Sequence, residues 1–121
     1  MKRQEDEALD GFSKAEKFYC DVEATLAVIG GKWKGIILYH LLEEKKRFNQ
    51  FRKLMPGVTQ RMLTLQLREL ENDGVVARKV YTEVPPKVEY SLTEFGRTLE
   101  PIIMSMKDWG AEYSKRLRNG L

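Results

Sequence analysis

Residues 59–74, TQRMLTLQLRELENDG, form a helix with both ends marked in the sequence, and their surroundings leave few folds open. Thr59 is suited to cap the N-terminus, with Val58 placed to staple onto Leu63. Gly74 supplies the left-handed residue of a Schellman end, with Val75 set to meet Leu70. Leu63, Leu67 and Leu70 make one apolar stripe at helical spacing, and the opposite face carries Arg61, Leu65, Arg68 and Asn72. The charges run against the helix dipole. Arg61 lies in the first turn, and Glu69, Glu71 and Asp73 crowd the last, placements that disfavour an exposed helix by about 0.3–1 kcal/mol each.

What flanks this helix narrows the choice further. Asn49 is read as the N-cap of a short helix running to Met55 and burying Phe51, Leu54 and Met55. Pro56 and Gly57 stop it, so a tight turn separates two helices in the manner of a helix-turn-helix. After Gly74 come VARKVYT (76–82) and KVEYSL (87–92), β-branched and alternating, joined by EVPP. Pro85 and Pro86 lack N–H donors, which suits a protruding hairpin tip. Helix-turn-helix plus hairpin predicts an α+β, mainly helical chain: a winged helix-turn-helix.

The remaining helices complete that frame. Asp21 is taken as N-cap of a helix to Ile29 that buries Val22, Leu26 and Ile29. Trp33–Leu42 forms another, with Trp33, Ile36, Ile37 and Leu41 inward, and GGKWKG serves as the turn between the two. Thr93 caps a long last helix to about Leu117, bent by Pro101. Its stripe of Leu99, Ile102, Ile103, Met106, Trp109, Tyr113 and Leu117 exceeds what so small a domain can cover. Pairing with a second copy is therefore expected through Leu99, Ile103, Met106, Trp109 and Tyr113, packing within the chain being the alternative. Residues 1–18 read as a flexible polar arm and 19–118 as the folded domain.

A chain of 121 residues, 42% hydrophobic and 32% charged, has the material for one core. Its longest unbroken aliphatic run is Ile36, Ile37 and Leu38, so no membrane span is expected, and with no apolar leader after the first residues the cytoplasm is the expected compartment. The single cysteine, Cys20, excludes an intrachain disulfide and a multi-cysteine metal site. The lone His40 lies inside the apolar WKGIILYHLL, as a core or near-core imidazole. No phosphate loop and no ligand-spaced cluster appears, so neither an enzyme, nor a metal, nor a cofactor is expected.

The charge balance points to a partner instead. Net charge is +3; residues 1–19 carry four bases and five acids, leaving +4 on the rest, and KKRFNQFRK (45–53) holds five bases and no acid. Such a run can also be a plain solvated face. In the helix-turn-helix frame, the second helix presents its N-terminal residues to base edges in the major groove while flanking cations meet phosphates. Double-stranded DNA would explain the reversed charges, because the duplex approaches where Arg61 stands. The candidate reading residues are Thr59, Gln60, Arg61, Thr64, Leu65 and Arg68; Leu65 could meet a thymine methyl. Arg47, Lys53, Arg78, Lys79 and Lys87 are the candidate backbone and wing contacts. A winged helix used for protein–protein contact is the rival from another class.

CDVEATLAVIGGKWKGIILYHL, TQRMLTLQLRELENDGVVARKVYTEVPPKVEYSLTEFG and KDWGAEY, in that order, resemble the HxlR-type winged-helix transcriptional regulators over residues 20–113. The resemblance implies a bacterial or archaeal homodimer, its first and last helices packed across the dimer axis, acting on a (pseudo)palindromic operator. Some members sense electrophiles or oxidants through a cysteine just before the first core helix. Cys20 stands at that place, followed by Asp21 where those members commonly have proline. Cys20 is thus a candidate redox sensor; a structural cysteine, with a small ligand or no effector as trigger, is the alternative.

Overall fold

Leu63, Leu67 and Leu70 are each 1% exposed or less, and the rest of the molecule is assembled around them. In the computed structural model, which describes residues 18–120, the elements are α1 (Asp21–Ile29), α2 (Lys34–Glu43), β1 (Lys46–Arg47), α3 (Phe48–Leu54), α4 (Gln60–Asn72), β2 (Val76–Tyr81), β3 (Lys87–Leu92), α5 (Glu94–Arg97) and α6 (Glu100–Arg118). The expected polar arm lies, but for Phe18, outside the described residues. Ile37, Leu38 and Leu41 of α2, Phe51 of α3 and Met55 just after it, Val75, Val76 and Leu92 of the wing, and Ile103 of α6 join the three leucines in one buried cluster.

Helix α4 has the ends its sequence promises. Thr59 Oγ1 accepts the Met62 N–H at 3.0 Å. At the other end the Val75 N–H reaches the Leu70 carbonyl and the Gly74 N–H the Glu71 carbonyl, the paired bonds of a Schellman motif. Gly74 sits at φ +81° and Gly57, in the turn before α4, at φ +93°, a region open to glycine at little penalty. A three-stranded antiparallel sheet in the order β1-β3-β2 follows, pairing Tyr81 with Lys87 and Lys79 with Glu89. This is the winged helix-turn-helix expected.

Several local expectations need correction. Cys20, not Asp21, is the N-cap of α1 and offers no side-chain cap. Val22 and Leu26 are 68% and 56% exposed, because α1 enters its own chain's core only at its C-terminal end, through Ile29. In α2 the helix begins after Trp33, and Ile36 faces out while Leu38 is buried. This helix is apolar on nearly every side, so its periodicity could not single out the inward stripe. Arg47 rather than Asn49 caps α3, its N–H donating to Gln50 Oε1 at 2.7 Å, and Leu54 is exposed. Strand β1, two residues pairing with Tyr90 and Glu89, has no signature of its own in the sequence.

The long last helix is two. Thr93 Oγ1 accepts the Gly96 N–H at 2.9 Å and so caps only the four-residue α5. Helix α6 then starts afresh at Glu100 with Pro101 in its first turn, where a missing N–H breaks no helical bond. Pro101 begins a helix instead of bending one. His40 is partly buried against Tyr39, and its pKa is lowered by that burial and by nearby Lys46, which favours the neutral imidazole.

Candidate nucleic-acid interface

The outward face of α4 carries Gln60, Arg61, Leu65 and Arg68, all exposed, with Thr64 half-buried among them. Thr59 and Thr64 are partly engaged already: Thr59 as the cap, and Thr64 through its hydroxyl, which donates to the Gln60 carbonyl at 2.9 Å. Among the described residues neither Arg61 nor Arg68 forms an ion pair, so both guanidinium groups are available to a ligand. Thr59, Gln60, Arg61, Thr64, Leu65 and Arg68 line one shallow surface together with Met62.

The acids at the far end of α4 have partners from other elements. Glu69 pairs with Lys34 of α2 at 2.7 Å, and Glu71 with Arg78 of β2 at 3.7 Å. Lys34 is the more buried of these cations, its side chain 12% exposed. Together the two pairs fasten the C-terminal half of α4 to the core and to the wing and leave its N-terminal half clear. The charge pattern that opposes the helix dipole is therefore met from two sides, by anchoring cations at one end and by a surface open to an anion at the other. Spanning elements far apart in the chain, these pairs carried no local signal.

A second surface gathers the basic residues. Arg47, Lys53 and Lys87 line a cleft of about 700 Å³ with Phe48, Asn49, Gln50, Pro86 and Val88, between the start of α3 and the tip of the wing. Residues Arg78 and Lys79 part company, because successive strand residues face opposite sides. Arg78 lies on the side of α4, in a small recess with Thr64, Arg68, Glu71 and Tyr90. Lys79 lies on the outer side, its ammonium 4.8 Å from the Tyr81 ring. Burial raises the pKa of Tyr90, whose ring meets Phe51 edge-on and ties the wing to α3.

The residues expected to face a second copy also divide. Ile103 is buried and Leu99 partly buried in the chain's own core. Met106, Trp109 and Tyr113 are 47%, 69% and 44% exposed, with the Trp109 and Tyr113 rings stacked at 5.4 Å. Cys20 is exposed at the head of α1. Among the described residues, no helix is long and apolar enough to cross a membrane.

Residues 28–118 match the HxlR-like helix-turn-helix family. The chain belongs to that family. As an HxlR-like protein it is a helix-turn-helix, DNA-binding transcriptional regulator, like its relatives. It is 74% identical over 98 residues to the HTH-type transcriptional regulator YdeP of Bacillus subtilis (strain 168), covering 81% of this chain and 77% of that one. It is 57% identical over 102 residues to YtcD of the same organism, covering 84% and 81%. Among solved structures this HxlR-like fold resembles the redox regulator HypR in its reduced form, with TM-score 0.78, 66% identity and coverage of 83% and 99%. The oxidized form of HypR gives TM-score 0.75 and 71% identity, with coverage of 77% and 96%.

Proposed function

We propose that the protein works in the cytoplasm as a homodimer on a (pseudo)palindromic operator, each protomer laying α4 in the major groove of one half-site. The observation that carries this reading is the clear N-terminal half of α4, with Arg61 and Arg68 forming no ion pair among the described residues, together with a basic cleft between α3 and the wing. Arg61 and Arg68 are the base-reading candidates, since a guanidinium fits the two acceptors of guanine bidentately. Gln60, Thr64 and Leu65 complete the reading face, and Thr59 holds its geometry. Arg47, Lys53 and Lys87 meet phosphates, with Lys79 and Arg78 in support from the wing. The exposed stripe of α6 supports the dimer.

The test is binding to a duplex selected by the protein from a random-sequence pool, measured over a range of salt. Affinity should fall with a log–log slope of roughly −0.9 per phosphate neutralised. Arg61→Ala and Arg68→Ala should each cost about 1–3 kcal/mol on the selected duplex and relax discrimination at the base they read. Unchanged affinity in both variants would remove α4 from the reading role.

The trigger we assign is oxidation of Cys20. It is exposed at the head of α1, and the structural likeness to HypR extends to that regulator's oxidized and reduced forms. The chain has no second thiol, so the reversible product joins the Cys20 residues of two protomers or one Cys20 to a small thiol. With hydrogen peroxide as oxidant, the two sulfurs lose two electrons and two protons as the S–S bond forms, and the peroxide leaves as two waters. Operator affinity should change on peroxide treatment, reverse with dithiothreitol and stay constant in Cys20→Ser. A wild type that binds equally before and after peroxide, with no dimer on a non-reducing gel, would leave Cys20 without a sensing role.

A further inference from the structure

The outer face of the wing concentrates four cations and a tyrosine around one carboxylate. Strand alternation puts Lys79, Tyr81, Lys87 and Glu89 on the same face, and Arg47 lies directly opposite Glu89 on β1. Glu89 Oε1 accepts the Tyr81 hydroxyl at 2.8 Å and lies 3.4 Å from Lys45 Nζ; Oε2 lies 3.7 Å from Lys87 Nζ. The ammonium groups of Lys79 and Lys87 stand 4.8 and 4.6 Å from the centre of the Tyr81 ring. The Glu89 side chain is only 13% exposed, whereas Lys45 is 61% exposed. The hydrogen bond from Tyr81, aided by Lys45, holds the Glu89 carboxyl below the usual carboxylate range, so it is ionised at any physiological pH.

On a surface that must meet phosphates, a carboxylate at the centre of the cations opposes binding. It lowers the local potential, and it engages two ammonium groups that a phosphate must then draw away. Attraction to phosphate is independent of sequence and supplies nearly all non-specific binding. Whatever weakens it at the wing acts chiefly on duplexes where the wing is the main contact. At a matched site, base contacts from α4 hold the duplex in place long enough for the lysines to exchange partners.

We infer that Glu89 is a specificity-determining residue for DNA binding: its negative charge restrains the wing cations and so suppresses binding to unmatched duplexes. The inference rests on the DNA-binding reading above. It is tested by comparing wild type, Glu89→Gln and Tyr81→Phe on the pool-selected duplex and on a scrambled duplex of the same composition, across a salt series. Glutamine keeps the size of Glu89 and an oxygen for the Tyr81 hydroxyl, so the hairpin is retained.

In Glu89→Gln the scrambled duplex should bind roughly eight-fold tighter at about 0.1 M salt for each further phosphate engaged, with its salt slope steeper by about 0.9 per phosphate. The selected duplex should gain less, so the ratio between the two falls. Tyr81→Phe, which keeps every charge, should leave the slope at the wild-type value. A Glu89→Gln slope equal to wild type, an equal loss on both duplexes, or a Tyr81→Phe variant with the full Glu89→Gln effect would each overturn the inference alone. A wild type that binds neither duplex in a salt-dependent way would overturn the DNA-binding reading and the inference with it.

Discussion

Replacing Gly96 with alanine is expected to unfold the protein or to remove more than about 3 kcal/mol of stability, near the upper end of single-site effects. A Cβ at Gly96 would lie 2.1 Å from the Val75 carbonyl oxygen and 2.9 Å from its carbon, both backbone atoms. No rotamer change can make room. Val75 is itself fixed by its N–H on the Leu70 carbonyl, while its own carbonyl accepts the Thr93 N–H at 3.1 Å. Helix α5 would have to lift away, and doing so breaks the bonds that Thr93 makes on both sides. Urea unfolding followed by circular dichroism measures the effect. A variant within 1 kcal/mol of wild type, on the scale of ordinary surface changes, would mean that α5 is held far less firmly than its contacts indicate.

Trp109→Glu is expected to produce folded monomers that have lost operator binding by about 10²–10⁴-fold, the usual gain from joining two binding events in one molecule. Trp109 is 69% exposed and supports little of its own protomer, so secondary structure and unfolding midpoint should hardly change. Met106, Tyr113 and Leu117 on the same helix are also exposed, as are Val22 and Leu26 on α1. An apolar patch of that kind is what a partner surface looks like before it is covered. Sedimentation of wild type and variant at micromolar concentration decides it. A monomeric wild type would end the dimer reading and shift the explanation of the stripe to another partner.

The parts of the fold legible in the sequence were those whose signals are local. Helix α4 could be read completely because Thr59, Gly74 and the three leucines each act within a few residues of where they stand. The inward stripe of α2 was not legible, because Ile36 and Leu38 are equally apolar and only the elements packed on α2, namely α1, α4, β3 and α6, decide which is covered. The break between α5 and α6 was present in the chain as Pro101, whose proper place is a first turn, but the continuous apolar stripe overrode it. At the site, which residues share the outward face of α4 followed from helical geometry alone. The pairs Lys34–Glu69 and Arg78–Glu71, and the gathering of Lys45, Lys87 and Tyr81 on Glu89, join residues brought together only by tertiary packing. Strand alternation could have separated Arg78 from Lys79, since that rule needs no partner.

The hydrogen bonds around Thr93 also have a mechanical side. Its hydroxyl donates to the Gly74 carbonyl at 2.7 Å, at the very end of α4, and its N–H holds Val75 at the start of the wing. The same residue caps α5, from which the Leu99 N–H, bonded to the Gly96 carbonyl, leads into α6. Helix α4, the wing and the long helix thus share one fulcrum. A torque applied to α6 is therefore expected to turn α4 and the wing together, since Thr93 is bonded to the end of α4, to the start of the wing and to α5. A stimulus that re-angles the long helices of a pair would accordingly change the operator spacing that is accepted, while each half-site's base preference stays as it was.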